Sequence, residues 1–132
     1  MLDDGREFVM CNRSDGLGFD MLKKANIPML ILSTETSSVV EARAAKIKIP
    51  VIYGSTDKAK DLTCFCEQND INMNSVAYIG NDINDLDAMN LVKYKICPAD
   101  ADISIKQISD IVLKTKGGYG IVREVYRIIM TS

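Results

Sequence analysis

The chain has 132 residues, 47% hydrophobic and 26% charged, with a formal net charge of −2. That is the length of one domain with an ordinary globular composition. The balance gives no electrostatic case for nucleic acid or an anionic membrane as partner, and no apolar run approaches the roughly 20 residues that span a bilayer.

The first residues, MLDDGREF, carry neither the basic end nor the apolar core of a signal peptide. Cys11, Cys64, Cys66 and Cys97 include no C-x-x-C spacing, and the chain has no histidine. A structural zinc site is therefore not expected, and reduced thiols in a cytoplasm are. Without histidine there is no Ser-His or Cys-His nucleophile pair, so acid–base chemistry falls to carboxylates or lysine.

Asp4-Gly5 is a turn signal, and residues 7–11 follow as a mixed strand, read as the second half of a hairpin. Residues 14–18 form a loop into a helix whose apolar side carries Leu17, Met21 and Leu22. Gly16 and Gly18 do not make a dinucleotide fingerprint, because Met21 stands where a third small residue is needed. Residues 29–32 (MLIL) are a buried strand, ending in the hydroxyl-rich turn Ser33-Thr34-Glu35-Thr36-Ser37-Ser38 before a helix over 39–47. Such a turn suits a phosphate and equally serves as a plain helix cap.

A third strand is predicted over 50–53, then Gly54 and a helix over 59–69. Lys58 opens that helix, where the dipole opposes a cation, so its placement invites a functional reason. The densest stretch is VAYIGNDINDLDAMN, residues 76–90. An apolar strand runs into Gly80, then into Asn81, Asp82, Asn84, Asp85 and Asp87, then into a helix. Ligands bind open α/β sheets at such strand-to-helix turns. Clustered carboxylates repel one another unless a cation offsets them, and oxygen donors suit Mg²⁺; a helix cap explains only one of these acids.

Further strands are expected over 94–97 and 110–114, with a helix to about residue 109 between them. Gly117, Gly118 and Gly120 mark a loop, and an amphipathic helix over 121–130 closes the chain. Alternating strands and helices predict one α/β domain over 1–132 with a parallel sheet.

Ser33, Lys58 and the Asn81/Asp82/Asp85 group thus fall at three successive strand ends. This order resembles the second, third and fourth motifs of the haloacid dehalogenase (HAD) phosphohydrolases. The stretches CNRSDGLG, ILSTET, GSTDK, VAYIGNDINDL and KGGYGIVREV are similar to the capless sugar-acid phosphatases of the Kdo 8-phosphate phosphatase type, and to the domain fused to bacterial N-acylneuraminate cytidylyltransferases. The resemblance implies a three-layer, Rossmann-like HAD fold and a Mg²⁺-dependent phosphatase. Ser33 would bind the phosphoryl group and Lys58 neutralise it. Asn81, Asp82 and Asp85 would hold Mg²⁺ directly or through water, with the amide of Asn81 supplying less charge than an acid. Thr34-Glu35 stands where Kdo 8-phosphate phosphatases carry Gly-Arg. Glu35 would repel a substrate carboxylate, which favours a nine-carbon acylneuraminate-like 9-phosphate, although a first-turn acid explains it equally well. Arg123 is a candidate substrate contact, with a structural ion pair the favoured alternative. The glycine-rich tail over 117–132 resembles one that reaches a neighbouring subunit, so a homotetramer is implied.

The departure from the family lies at the start. A D-x-D motif ending an apolar strand supplies the family's nucleophile and its general acid/base, and Asp3-Asp4 matches a flap turn beyond it. Residues 1–13 are therefore expected to be a flap-hairpin remnant, with the first, central strand missing between residues 29–32 and 76–79. That would leave two inner sheet edges unpaired and turnover impaired. The alternative is a non-catalytic assembly or sensing domain associated with a cytidylyltransferase.

Overall fold

The computed structural model describes residues 7–11, 24, 26–34, 50–116 and 121–131. Six strands build one sheet: β1 (Glu7–Cys11), β2 (Met29–Leu32), β3 (Val51–Ile52), β4 (Val76–Ile79), β5 (Tyr94–Cys97) and β6 (Ile111–Val112). Their order is β3-β2-β1-β4-β5-β6, and every pairing is parallel. The helices are α1 (Lys58–Gln68), α2 (Leu86–Met89), α3 (Ile103–Ile108) and α4 (Ile121–Thr131).

Strand side chains alternate between two faces, and the sequence fills both with apolar groups, as a parallel sheet covered by helices requires. Leu30, Leu32, Val76, Tyr78 and Cys97 face one way, against Leu62 and Cys66 of α1, Ala88 and Met89 of α2 and Ile105 of α3. Met29, Ile31, Ala77, Ile79 and Ile96 face the other way, against Ile121 and Val125 of α4. Helices thus cover both faces of the sheet, the three-layer α/β architecture expected.

The central place is where the structure departs from expectation. Among the described residues, 7–11 form no hairpin, and no inner edge is left open between β2 and β4. Instead β1 runs parallel to both, with Val9 opposite Leu30 on one side and Tyr78 on the other. The physical reason is the one that made a gap costly: β2 and β4 each present a row of N–H and C=O groups that need partners. Glu7–Cys11 (EFVMC) is a run, apolar after its first residue, whose backbone is able to supply them.

The edge strands are shorter than predicted. β3 pairs only through Val51 and Ile52, and β6 only through Ile111 and Val112. Each has a neighbour on one side alone, so flanking residues gain less from extended pairing. The helix predicted over 39–47 and the glycine loop over 117–120 lie outside the described residues.

Candidate active site

Parallel strands bring their carboxyl ends to one mouth. Cys11 is level with Leu32, and Met10 with Ile79, so the segments that follow β2 and β4 flank the end of the central strand. Ser33 is buried at the end of β2. Its N–H donates to the Ile52 carbonyl at 2.9 Å, and its carbonyl accepts from Ser55 N–H at 2.9 Å. Those bonds tie the hydroxyl-bearing turn to the loop between β3 and α1. Gly54 takes a φ of 67° in that loop, a conformation costly for any residue with a Cβ. Asp57 then caps α1 by accepting from Lys60 N–H at 3.1 Å. The Ser55 hydroxyl donates to Asp61 Oδ2 at 2.6 Å across the first turn.

Lys58, the first residue of α1, is turned inward rather than into solvent, with its side chain 2% exposed. Its Nζ donates to Asp85 Oδ1 at 2.8 Å and to Asn84 Oδ1 at 3.3 Å. The lysine opposed by its own helix dipole is therefore held by a buried carboxylate on a different strand-end turn. Such charge-assisted bonds are the strong ones.

Asp85 is the hub of that turn. Its Oδ1 also accepts from the Tyr78 hydroxyl at 2.8 Å, and its Oδ2 accepts from Asn81 N–H at 3.0 Å and Asp82 N–H at 3.2 Å. Asp85 is expected from the sequence to hold Mg²⁺ directly or through water, and its oxygens here face protein donors. It is completely buried, and both oxygens are occupied by protein donors, which accounts for the roughly four lone-pair sites of a carboxylate. Asp82 reciprocates as the cap of the short 3₁₀ turn Ile83–Asp85, accepting from Ile83 N–H at 2.7 Å. Asn81 and Asp82 remain at the mouth, half-exposed and exposed. The Asn81 carbonyl accepts from Asp102 N–H at 2.9 Å, which joins this turn to the start of α3. Beside it, the Ser104 hydroxyl and then its N–H hold the Asp102 carboxyl below the usual range.

Gly80 makes this close packing possible. A Cβ there would lie 2.6 Å from Met89 Sδ and 2.8 Å from Asp85 Cβ.

Of the other expected residues, Thr34 is exposed just beyond Ser33, and Glu35 lies outside the described residues. Arg123 is half-buried in the first turn of α4. Its neighbour Glu124 accepts from Lys114 N–H and Thr115 N–H at 2.9 Å each. Two residues went unassigned in the sequence: Tyr78, and Asn84, noticed only as part of the acidic cluster. A tyrosine in a fully buried strand was the available signal, since its hydroxyl must find a partner.

The donor types suit a hard divalent cation in part. Asn81 and Asp82 offer amide and carboxylate oxygens, and Mg²⁺ bound by few protein ligands keeps several waters. Among the described residues, no group of three His, Cys, Asp or Glu side chains converges to complete a cage.

A match to the haloacid dehalogenase-like hydrolase family covers residues 24–125. The chain belongs to that family. Within it, the chain is 35% identical over 121 residues to the 3-deoxy-D-manno-octulosonate 8-phosphate phosphatase of Haemophilus influenzae, covering 89% of this chain and 66% of that protein. The cobalt-bound Haemophilus influenzae deoxy-D-mannose-octulosonate 8-phosphate phosphatase superposes with a TM-score of 0.88 at 27% identity, covering 96% of this chain and 87% of that one. The Moraxella catarrhalis 3-deoxy-D-manno-octulosonate 8-phosphate phosphatase, in complex with magnesium, phosphate and Kdo, also superposes at 0.88. Its identity is 28%, covering 96% of this chain and 86% of that one. The chain is thus similar to sugar-acid phosphatases of that family, two of which hold cobalt or magnesium in their structures.

Proposed function

We propose that the mouth of the sheet binds a sugar-acid phosphate together with Mg²⁺. One observation carries this reading: the buried Lys58–Asp85 pair ties the β3 strand end to the β4 strand end, with Asn81 and Asp82 held beside it. Phosphoryl transfer depends on positioning and on neutralising the equatorial oxygens. The Lys58 ammonium supplies fixed positive charge, and the Ser33 hydroxyl, tied through its backbone to the neighbouring loop, supplies a donor. Asn81 and Asp82 would hold the divalent ion, which when bound adds charge neutralisation at the phosphoryl oxygens. Thr34, Glu35 and Arg123 are candidate contacts to the sugar acid. The Thr34-Glu35 pair favours an acylneuraminate-like 9-phosphate over Kdo 8-phosphate, because a glutamate repels the carboxylate that an arginine would pair with.

Turnover needs a nucleophilic carboxylate at the end of the central strand. β1 ends at Cys11, and Asn12 and Arg13 follow in the sequence. Binding with slow or absent hydrolysis is therefore the expected behaviour. The same observation favours a second reading, a substrate-sensing or assembly domain working beside an acylneuraminate cytidylyltransferase. A homotetramer is part of either reading and is checked by analytical ultracentrifugation.

The test pairs two measurements on the full chain with Mg²⁺: inorganic phosphate binding, and phosphate release from Kdo 8-phosphate and acylneuraminate 9-phosphate. Phosphate binding that is lost in Lys58→Met supports the site. Fast release from either ester would overturn the impaired-turnover claim, and no phosphate binding at all would overturn the site itself.

A further inference from the structure

Tyr78 is wholly buried in β4, on the face that packs against α1 and α2. Its hydroxyl and the Lys58 ammonium share Asp85 Oδ1, each at 2.8 Å, while Oδ2 takes the two backbone amides of Asn81 and Asp82. The carboxylate therefore acts as a lever between the cation and the turn at the mouth. The terminal torsion of an aspartate is broad, so the plane of a carboxylate turns easily. An ammonium on a flexible four-carbon stem follows such a rotation rather than stopping it. The tyrosine hydroxyl does not follow, because β4 is hydrogen-bonded to β1 on one side and β5 on the other.

We infer that Tyr78 is a positioning residue. It sets the plane of the Asp85 carboxylate so that one oxygen holds Lys58 and the other holds the Asn81–Asp82 backbone in register with it. As a neutral donor on Oδ1, it also limits how far that oxygen draws the ammonium inward. Its effect on ligand binding, as distinct from local geometry, rests on reading the mouth as a phosphate site. In Tyr78→Phe the ring still fills its place, but the carboxylate loses the one rigidly anchored donor on Oδ1, and Lys58 and the turn lose that common reference.

The experiment compares the wild-type chain with Tyr78→Phe and with Ile105→Val, a core substitution on the same face but outside the site. Nitrogen NMR reads the Lys58 ammonium and the Asn81 and Asp82 amides, and calorimetry reads binding of inorganic phosphate with Mg²⁺. Tyr78→Phe is expected to shift all three NMR signals and to weaken phosphate binding about tenfold, the scale of one charge-assisted hydrogen bond. Ile105→Val is expected to lower stability without moving those signals. Unchanged Lys58, Asn81 and Asp82 signals in Tyr78→Phe would overturn the positioning role. Shifted signals without any phosphate binding by the wild-type chain would uphold the lever and refute the phosphate reading instead.

Discussion

Gly80 sits where the apolar strand meets the polar turn, and its missing side chain is what lets Asp85 and Met89 close over the strand end. The demand there is steric, since a single methyl would meet backbone-anchored atoms as well as the end of a methionine. Gly80→Ala is expected to cost about 1–3 kcal/mol, the usual range for overpacking. Urea denaturation measures that loss, and a shifted Asp82 amide would show the turn displaced. Removing the cation is a sharper perturbation, because Asp85 is fully buried. Lys58→Met should cost about 3–5 kcal/mol by stranding a buried charge. The double variant Lys58→Met/Asp85→Asn should recover part of that loss, and a double-mutant cycle on denaturation midpoints checks it. At this scale residue types were legible before any coordinates: a hydroxyl, a lysine and an acid-rich turn at successive strand ends. Direction was not. Spacing alone does not show that the Asp85 carboxylate turns inward to a lysine and a tyrosine while Asp82 stays outside, because that depends on which side chains share a sheet face across sequence-distant strands.

Between elements, a carboxylate clasp adds to the apolar packing of α4 on the sheet. Glu124 accepts from Lys114 N–H and Thr115 N–H just beyond β6, which offsets the backbone groups left where the strand stops. Partial burial works to raise the Glu124 carboxyl. The Lys114 N–H, the Thr115 hydroxyl and N–H, and the Lys114 charge outweigh it and hold the group below its ordinary value of 4.5. A depressed folded value means the clasp stabilises fully above the unfolded value and is lost as pH falls through the folded one. Glu124→Gln should therefore cost about 1–2 kcal/mol near neutrality. The two stability curves should converge in acid, below the lowered folded value, as urea titrations across pH would record. Element boundaries were legible where burial is two-sided: β2, β4 and β5 coincide with four-residue runs read directly from the sequence. They were less so at β3 and β6, where a single neighbour decides how many residues stay extended.

The whole molecule turns on its central strand. Sequence reasoning reached the three-layer α/β fold and even the place that must be filled between β2 and β4, since two open inner edges carry unmet hydrogen-bonding groups. It did not assign Glu7–Cys11 to that place. The run follows a turn signal and resembles a flap, and local pattern cannot say which strands a short segment will join. The two placements differ in a measurable way. As the strand between β2 and β4, β1 has ladder partners on both sides. Its amides should then exchange with solvent only through global unfolding. Native-state hydrogen exchange of Val9 and Met10 should match Leu30 and Tyr78, with the same dependence on denaturant. In a flap standing off the sheet, Val9 and Met10 would exchange by local opening, orders of magnitude faster and with little denaturant dependence. Slow exchange would also fix Cys11, the last residue of β1, at the strand end where the proposed site needs a nucleophilic carboxylate, linking the order of the sheet to the weak turnover proposed for it.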